Sequence, residues 1–89
     1  MKYRSRTEIV EMILQATRSG ATKTKIMYKA YLSYTQVKEY LSFLLENGLI
    51  KYEEGSSLYR ITEKGLHFLQ VYGEISDLVT PKPAGKKSF

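Results

Sequence analysis

The sequence predicts an α+β fold: three helices, then a two-stranded hairpin, then a closing helix. Three observations predict it. Apolar residues recur at helical spacing early in the chain, at Ile9, Met12, Ile13 and Ala16 and again at Val37, Leu41 and Leu44. Two short runs, LIKY and LYRI, flank the turn-forming EEGSS. A last amphipathic segment, GLHFLQVYGEISDLV, runs up to Pro81.

The first helix is announced by SRTE, where Ser5 accepts from an early helix amide and Glu8 returns to the Ser5 backbone in a capping box. Arg18, Ser19 and Gly20 end it. In ATKTKIMYKAYL, Thr22 or Thr24 serves as N-cap and Ile26, Met27 and Ala30 form the buried side, so a short second helix runs from about Lys25 to Tyr31. The third helix lies in SYTQVKEYLSFLLENGLI, with Ser33 as N-cap and Gln36 as its reciprocal partner. Its stripe of Val37, Leu41 and Leu44 is widened by Tyr34, Tyr40 and Leu45, and Gly48 stops it at about Asn47. Gly55 and the two serines after it suit a hairpin turn with a residue at positive φ. A ribbon of two strands is marginal alone and must pack on the helices.

Thr62 to Gly65 turn the chain into the last helix, where Phe68, Tyr72, Ile75 and Val79 recur with Leu69 beside them. Pro81 and Pro83 stop it, and PKPAGKKSF reads as a mobile basic tail. The organisation is a domain over residues 5–61, an amphipathic helix over 62–79 and a tail over 80–89.

Eighty-nine residues make one small domain. Cysteine is absent and histidine occurs once, at His67, so neither a disulfide nor a metal site is expected. No apolar run approaches the roughly 20 residues that span a bilayer, and the N-terminus lacks a signal-peptide core. A soluble, cytoplasmic protein with no membrane partner follows. Net charge is +5, with ten basic and six acidic side chains in residues 1–60 and three lysines in the tail. Such a balance favours polyanions without naming one. Glycine-rich phosphate loops, H-E-x-x-H pairs and recognisable nucleophile settings are missing, and Glu8, Glu11, Glu39 and Glu46 are scattered. The chain is expected to be no enzyme and to need no cofactor.

The order helix, helix, helix, ribbon, helix matches a winged helix-turn-helix. The run GATKTKIMYKAYLSYTQVKEYLSFLLENGLI, followed by YRITEKG, also resembles archaeal winged-helix proteins of the Sso10a-like group over residues 7–72. That resemblance implies binding to double-stranded DNA, either as a transcriptional regulator or as a nucleoid-associated protein. It also implies a third helix in the DNA groove, a wing on the backbone and a homodimer through the final helix. Pro81 limits that helix to roughly 15 residues, so the long antiparallel coiled coil of the group is not expected here.

The second helix of the motif enters the major groove by its N-terminal end, which makes Ser33, Tyr34, Thr35, Gln36 and Lys38 the candidates for DNA contact, with Ser42 further along. Gln36 is the best base reader, since its carboxamide matches adenine N6 and N7. Glu39 and Glu46 confine the contact to the front half, because a carboxylate beside phosphate is repelled. Lys23, Thr24 and Lys25 start the preceding helix, which faces the DNA backbone in this architecture. The wing offers Ser56, Ser57 and Arg60 to phosphate. Phe43, off the main stripe, fills the join to the second helix or belongs to an interface. Phe68, Leu69, Tyr72, Ile75 and Val79 are assigned to the dimer interface, where a two-fold axis would make the patch self-complementary. Two other readings compete: a protein-interaction winged helix with incidental charge, and a single-stranded RNA binder stacking bases on some of the eight tyrosines.

Overall fold

The computed structural model describes residues 4–79; the basic tail expected over 80–89 and the side chain of Val79 lie outside the described residues. The chain forms α1 (Arg6–Ala16), α2 (Lys23–Ala30), α3 (Tyr34–Glu46), β1 (Ile50–Glu53), β2 (Leu58–Ile61) and α4 (Glu63–Val79). This is an α+β winged-helix fold, with three helices, a hairpin wing and a C-terminal helix.

Both capping boxes read from the sequence are present. Ser5 Oγ accepts from the Glu8 amide at 3.0 Å while Glu8 Oε1 accepts from the Ser5 amide at 2.9 Å, and Ser33 and Gln36 repeat the exchange at 3.1 and 3.0 Å. Each cap satisfies amides that the first helical turn leaves without partners. Gly48, at φ +71, releases α3 after the Asn47 C-cap.

Three boundaries differ from expectation. α2 starts at Lys23, two residues early, because Thr22 rather than Thr24 is the cap, its Oγ1 accepting from the Lys25 amide at 3.2 Å. It also ends at Ala30, with Tyr31 left-handed at φ 55 as C-cap. α4 likewise begins at Glu63: Thr62 Oγ1 accepts from the Gly65 amide at 3.1 Å and donates to the Gly48 carbonyl at 2.6 Å, tying the end of α3 to the start of α4. In the wing, the residue at positive φ within the Gly55–Ser57 turn is Ser57 (φ 58). The Ser57 amide closes the turn on the Glu53 carbonyl at 2.7 Å, which puts the left-handed residue at the last turn position.

The core is shared by all the elements. Ile9, Val10, Ile13 and Leu14 of α1 meet Ile26 and Ala30 of α2, Val37, Tyr40, Leu41 and Leu44 of α3, Leu49, Ile50 and Ile61 around the wing base, and Leu69 of α4. Met12, Ala16 and Met27, expected inside, sit half-buried at its edge. β1 pairs antiparallel with β2 from Ile50↔Ile61 to Glu53↔Leu58. Ala21, between α1 and α2, adds one bridge residue by exchanging both backbone hydrogen bonds with Tyr59 at 3.0 and 2.8 Å. The hairpin is therefore anchored along its β2 edge, where the Ile61 amide also donates to the Thr17 carbonyl at 3.0 Å, as its marginal intrinsic stability requires. Gly65 lets α4 leave the wing closely, since a Cβ there would collide with the Leu49 carbonyl and with Ile61 Cγ1 at 2.6 Å.

Candidate nucleic-acid interface

The starts of α2 and α3 converge on one ring. Tyr34, the first residue of α3, is 56% exposed. Lys23 Nζ lies 5.2 Å from its centroid and Lys38 Nζ 5.3 Å. Each such contact at an exposed site contributes about 0.5–1 kcal/mol, which offsets the mutual repulsion of two ammoniums held near one ring. Among the described residues neither ammonium has an ion-pair partner. Lys23, Lys38 and Ser42 also rim a shallow depression of about 180 Å³ with Tyr59 of the wing. Lys23, Tyr34, Lys38 and Ser42 are thus brought onto one surface, beside exposed Ser33 and Thr35.

Other expected residues go elsewhere. Lys25 joins Lys29 along a separate groove against α1, lined on the far side by Glu11 and Gln15; Thr24 is exposed between the two surfaces. Gln36 is exposed, but its Oε1 is the acceptor that caps α3. Adenine recognition needs that oxygen and the amide nitrogen together. The two roles read from the sequence, cap partner and base reader, therefore compete for one atom.

The wing closes on itself. Arg60 Nε and one terminal nitrogen donate to the two Glu53 carboxylate oxygens at 2.9 and 3.2 Å, and Ser56 Oγ donates to the same carboxylate at 3.2 Å. The hydrogen bond from Arg60 holds the Glu53 carboxyl below its usual range, against a smaller opposing effect of burial. The same contact raises Arg60 further. Arg60 and Ser56, expected on phosphate, are engaged internally, and the positive φ of Ser57 fixes the turn.

On α4, Leu69 belongs to the chain's own core and Phe68 packs against it. Tyr72 is half-buried against α1, where burial first and then the charges of Glu8 and Glu11 push its hydroxyl pKa up. Ile75 is 53% exposed. Two residues the sequence reading passed over complete its edge: half-buried Val71 and Leu78, the latter 85% exposed. Phe68, Val71, Ile75 and Leu78 follow the 3-4 spacing of a helix-pairing seam, a signal present in the sequence but hidden by the overlapping stripe of Phe68, Tyr72, Ile75 and Val79. Phe43 does not fill the join to α2. It faces α1 and α4, 40% exposed, with the Arg6 guanidinium 5.5 Å from its centroid. Arg4, also unforeseen, caps α2 by donating to the Ala30 and Tyr31 carbonyls.

Residues 3–80 match the family described as winged helix-turn-helix. The chain belongs to that family. It is similar to two uncharacterized proteins of Methanocaldococcus jannaschii: MJ0287, 32% identical over 81 residues covering 90% of this chain and 81% of the relative, and MJ0290, 34% identical over 79 residues. The second match covers 88% of this chain but 36% of the longer relative. Among solved structures it resembles Sso10a-2, a DNA-binding protein from Sulfolobus solfataricus, with a TM-score of 0.64 and 25% identity over 89% of this chain and all of that one. The winged-helix domain is therefore related to the archaeal Sso10a-like DNA-binding proteins, a non-catalytic family. Among the described residues no cluster of His, Cys, Asp or Glu is suited to a metal, and no helix is long and apolar enough to cross a membrane.

Proposed function

We propose that this chain binds double-stranded DNA as a homodimer, with the N-terminal half of α3 in the major groove. The observation that carries the reading is the pair of ammoniums, Lys23 and Lys38, held beside Tyr34 without ion-pair partners. Two cations at adjoining helix starts suit two phosphates flanking a groove, and the free amides of the α3 N-terminus add to the attraction. Thr35 and Ser42, three and four residues from Lys38, share its face of α3 and are exposed, and Ser33 is exposed at the helix start. Gln36 contributes through its amide nitrogen unless it leaves the cap, so sequence preference rests less on it than on groove shape and the hydroxyl residues. The related Sso10a-2, described as a DNA-binding protein, supports the polymer class.

The same reading makes the chain a transcriptional regulator or a nucleoid-associated protein of the cytoplasm; the two differ only in specificity. Its dimer uses the outer edge of α4, Phe68, Val71, Ile75 and Leu78, with Tyr72 flanking, while Leu69 serves the monomer. A 17-residue helix supplies a short seam rather than a rod.

Titration with random and selected duplexes across a salt series tests the DNA reading. Binding should weaken steeply with salt, and a folded protein that binds no duplex at low salt ends the proposal. Solution mass of the intact chain and of Ile75→Glu tests the dimer. A monomeric intact chain rejects it and leaves the α4 edge to a different protein.

A further inference from the structure

A second depression lies on the opposite flank of α3. Val10 of α1, Phe43 of α3, Leu49 in the link between α3 and β1, and Phe68 of α4 form an apolar floor in a cleft of about 350 Å³, within the range of small-molecule sites. Arg6 and Lys64 stand on its rim. The Arg6 guanidinium lies over the rings of Tyr40 and Phe43, 5.1 and 5.5 Å from their centroids, and the Lys64 stem passes beside Gly48. Among the described residues neither cation has a hydrogen-bond or ion-pair partner. A guanidinium held beside aromatic rings rather than by a carboxylate keeps its forked donors available, and a planar carboxylate can take two of them.

We infer that this cleft binds a small apolar monocarboxylate, its hydrocarbon or aromatic body on Phe43, Leu49 and Phe68 and its carboxylate between Arg6 and Lys64. The lining carries two cations and no acidic side chain, so the rim favours an anion, and a single carboxylate can lie between the two. The groove between α1 and α2 differs on this point: Glu11 sits among its lining residues, and its walls are more polar. The site does not depend on the DNA reading, because it lies across α3 from Lys23 and Lys38.

The test uses the full chain without DNA. Phenylbutyrate is titrated while backbone amide resonances are followed, with phenylbutanol as the uncharged analogue. Saturable shifts confined to residues 6–10, 43–49 and 64–68 are expected, with phenylbutanol binding roughly threefold to tenfold more weakly. Arg6→Gln and Lys64→Gln, both at exposed positions, should each weaken phenylbutyrate by a similar factor and leave phenylbutanol unchanged. Equal affinity for acid and alcohol, or shifts scattered over the surface, overturns the inference. So does a concentration-dependent shift of the 6–10 and 43–49 amides without any probe, which would mean that a second copy of the chain fills the cleft; a shift confined to the residues around Phe68 belongs to the α4 dimer edge.

Discussion

The α2–α3 corner and the wing contain the same kinds of residue, yet the fold treats their charges in opposite ways. At the corner, Lys23 and Lys38 share an aromatic ring and no carboxylate. In the wing, Arg60 is closed onto Glu53 in a two-point ion pair that Ser56 completes. A cation held by a ring keeps nearly all its charge for a ligand, whereas one held by a carboxylate presents a neutral pair. Counting basic residues along a winged helix therefore overstates the wing and understates the corner.

The largest expected effect comes from removing the corner. In Lys23→Gln/Lys38→Gln, the slope of log affinity against log salt should fall by about two units, since each lost phosphate contact removes about 0.9. Arg60→Gln should leave that slope unchanged. A salt series on the three proteins measures both, and equal losses from corner and wing would erase the distinction. The folded state should survive either change, because both lysines and the ion pair lie outside the core.

A smaller effect runs the other way. Glu53→Gln removes the carboxylate and frees Arg60, so the salt slope should rise by up to about one unit and affinity by roughly threefold. Acid acts in the same direction. The Glu53 pKa is lowered in the folded state, so its contribution to stability is complete above the ordinary carboxylate range and is lost as pH falls through its depressed folded value. DNA affinity that rises on acidification in the wild type, but not in Glu53→Gln, would assign the change to this pair.

Much of the fold was legible in the sequence because its signals are local. Ser5 with Glu8 and Ser33 with Gln36 mark helix starts within four residues, and Gly48 marks a stop. The candidate site was less legible because partnership is not local. Nothing in LYRI says that Arg60, opposite Lys51, reaches diagonally to Glu53 across the hairpin, and nothing in SYTQ says that Tyr34 draws Lys23 from the preceding helix. Phe43 shows the same limit: its position off the main stripe was readable, but the side it faces depends on how α1 and α4 pack. On α4, residues serving the core and the outer edge interleave, so only packing separates Leu69 from Ile75.

The smallest effects compare the two regions through their backbones. Each has a non-glycine residue in the left-handed region, Tyr31 at φ 55 in the turn before α3 and Ser57 at φ 58 in the wing. Such a conformation costs roughly 1–2 kcal/mol for an L-residue, and glycine relieves it while adding about 0.5–1 kcal/mol of unfolded-state entropy. Ser57→Gly should therefore raise stability by some tenths to about 1 kcal/mol. Tyr31→Gly should gain less, because the ring 5.9 Å from the Arg4 guanidinium is lost with it. Urea unfolding of both variants measures the difference. A larger gain at Tyr31 than at Ser57 would mean that the Arg4 contact adds nothing, and that the turn into α3 is held by backbone and cap alone.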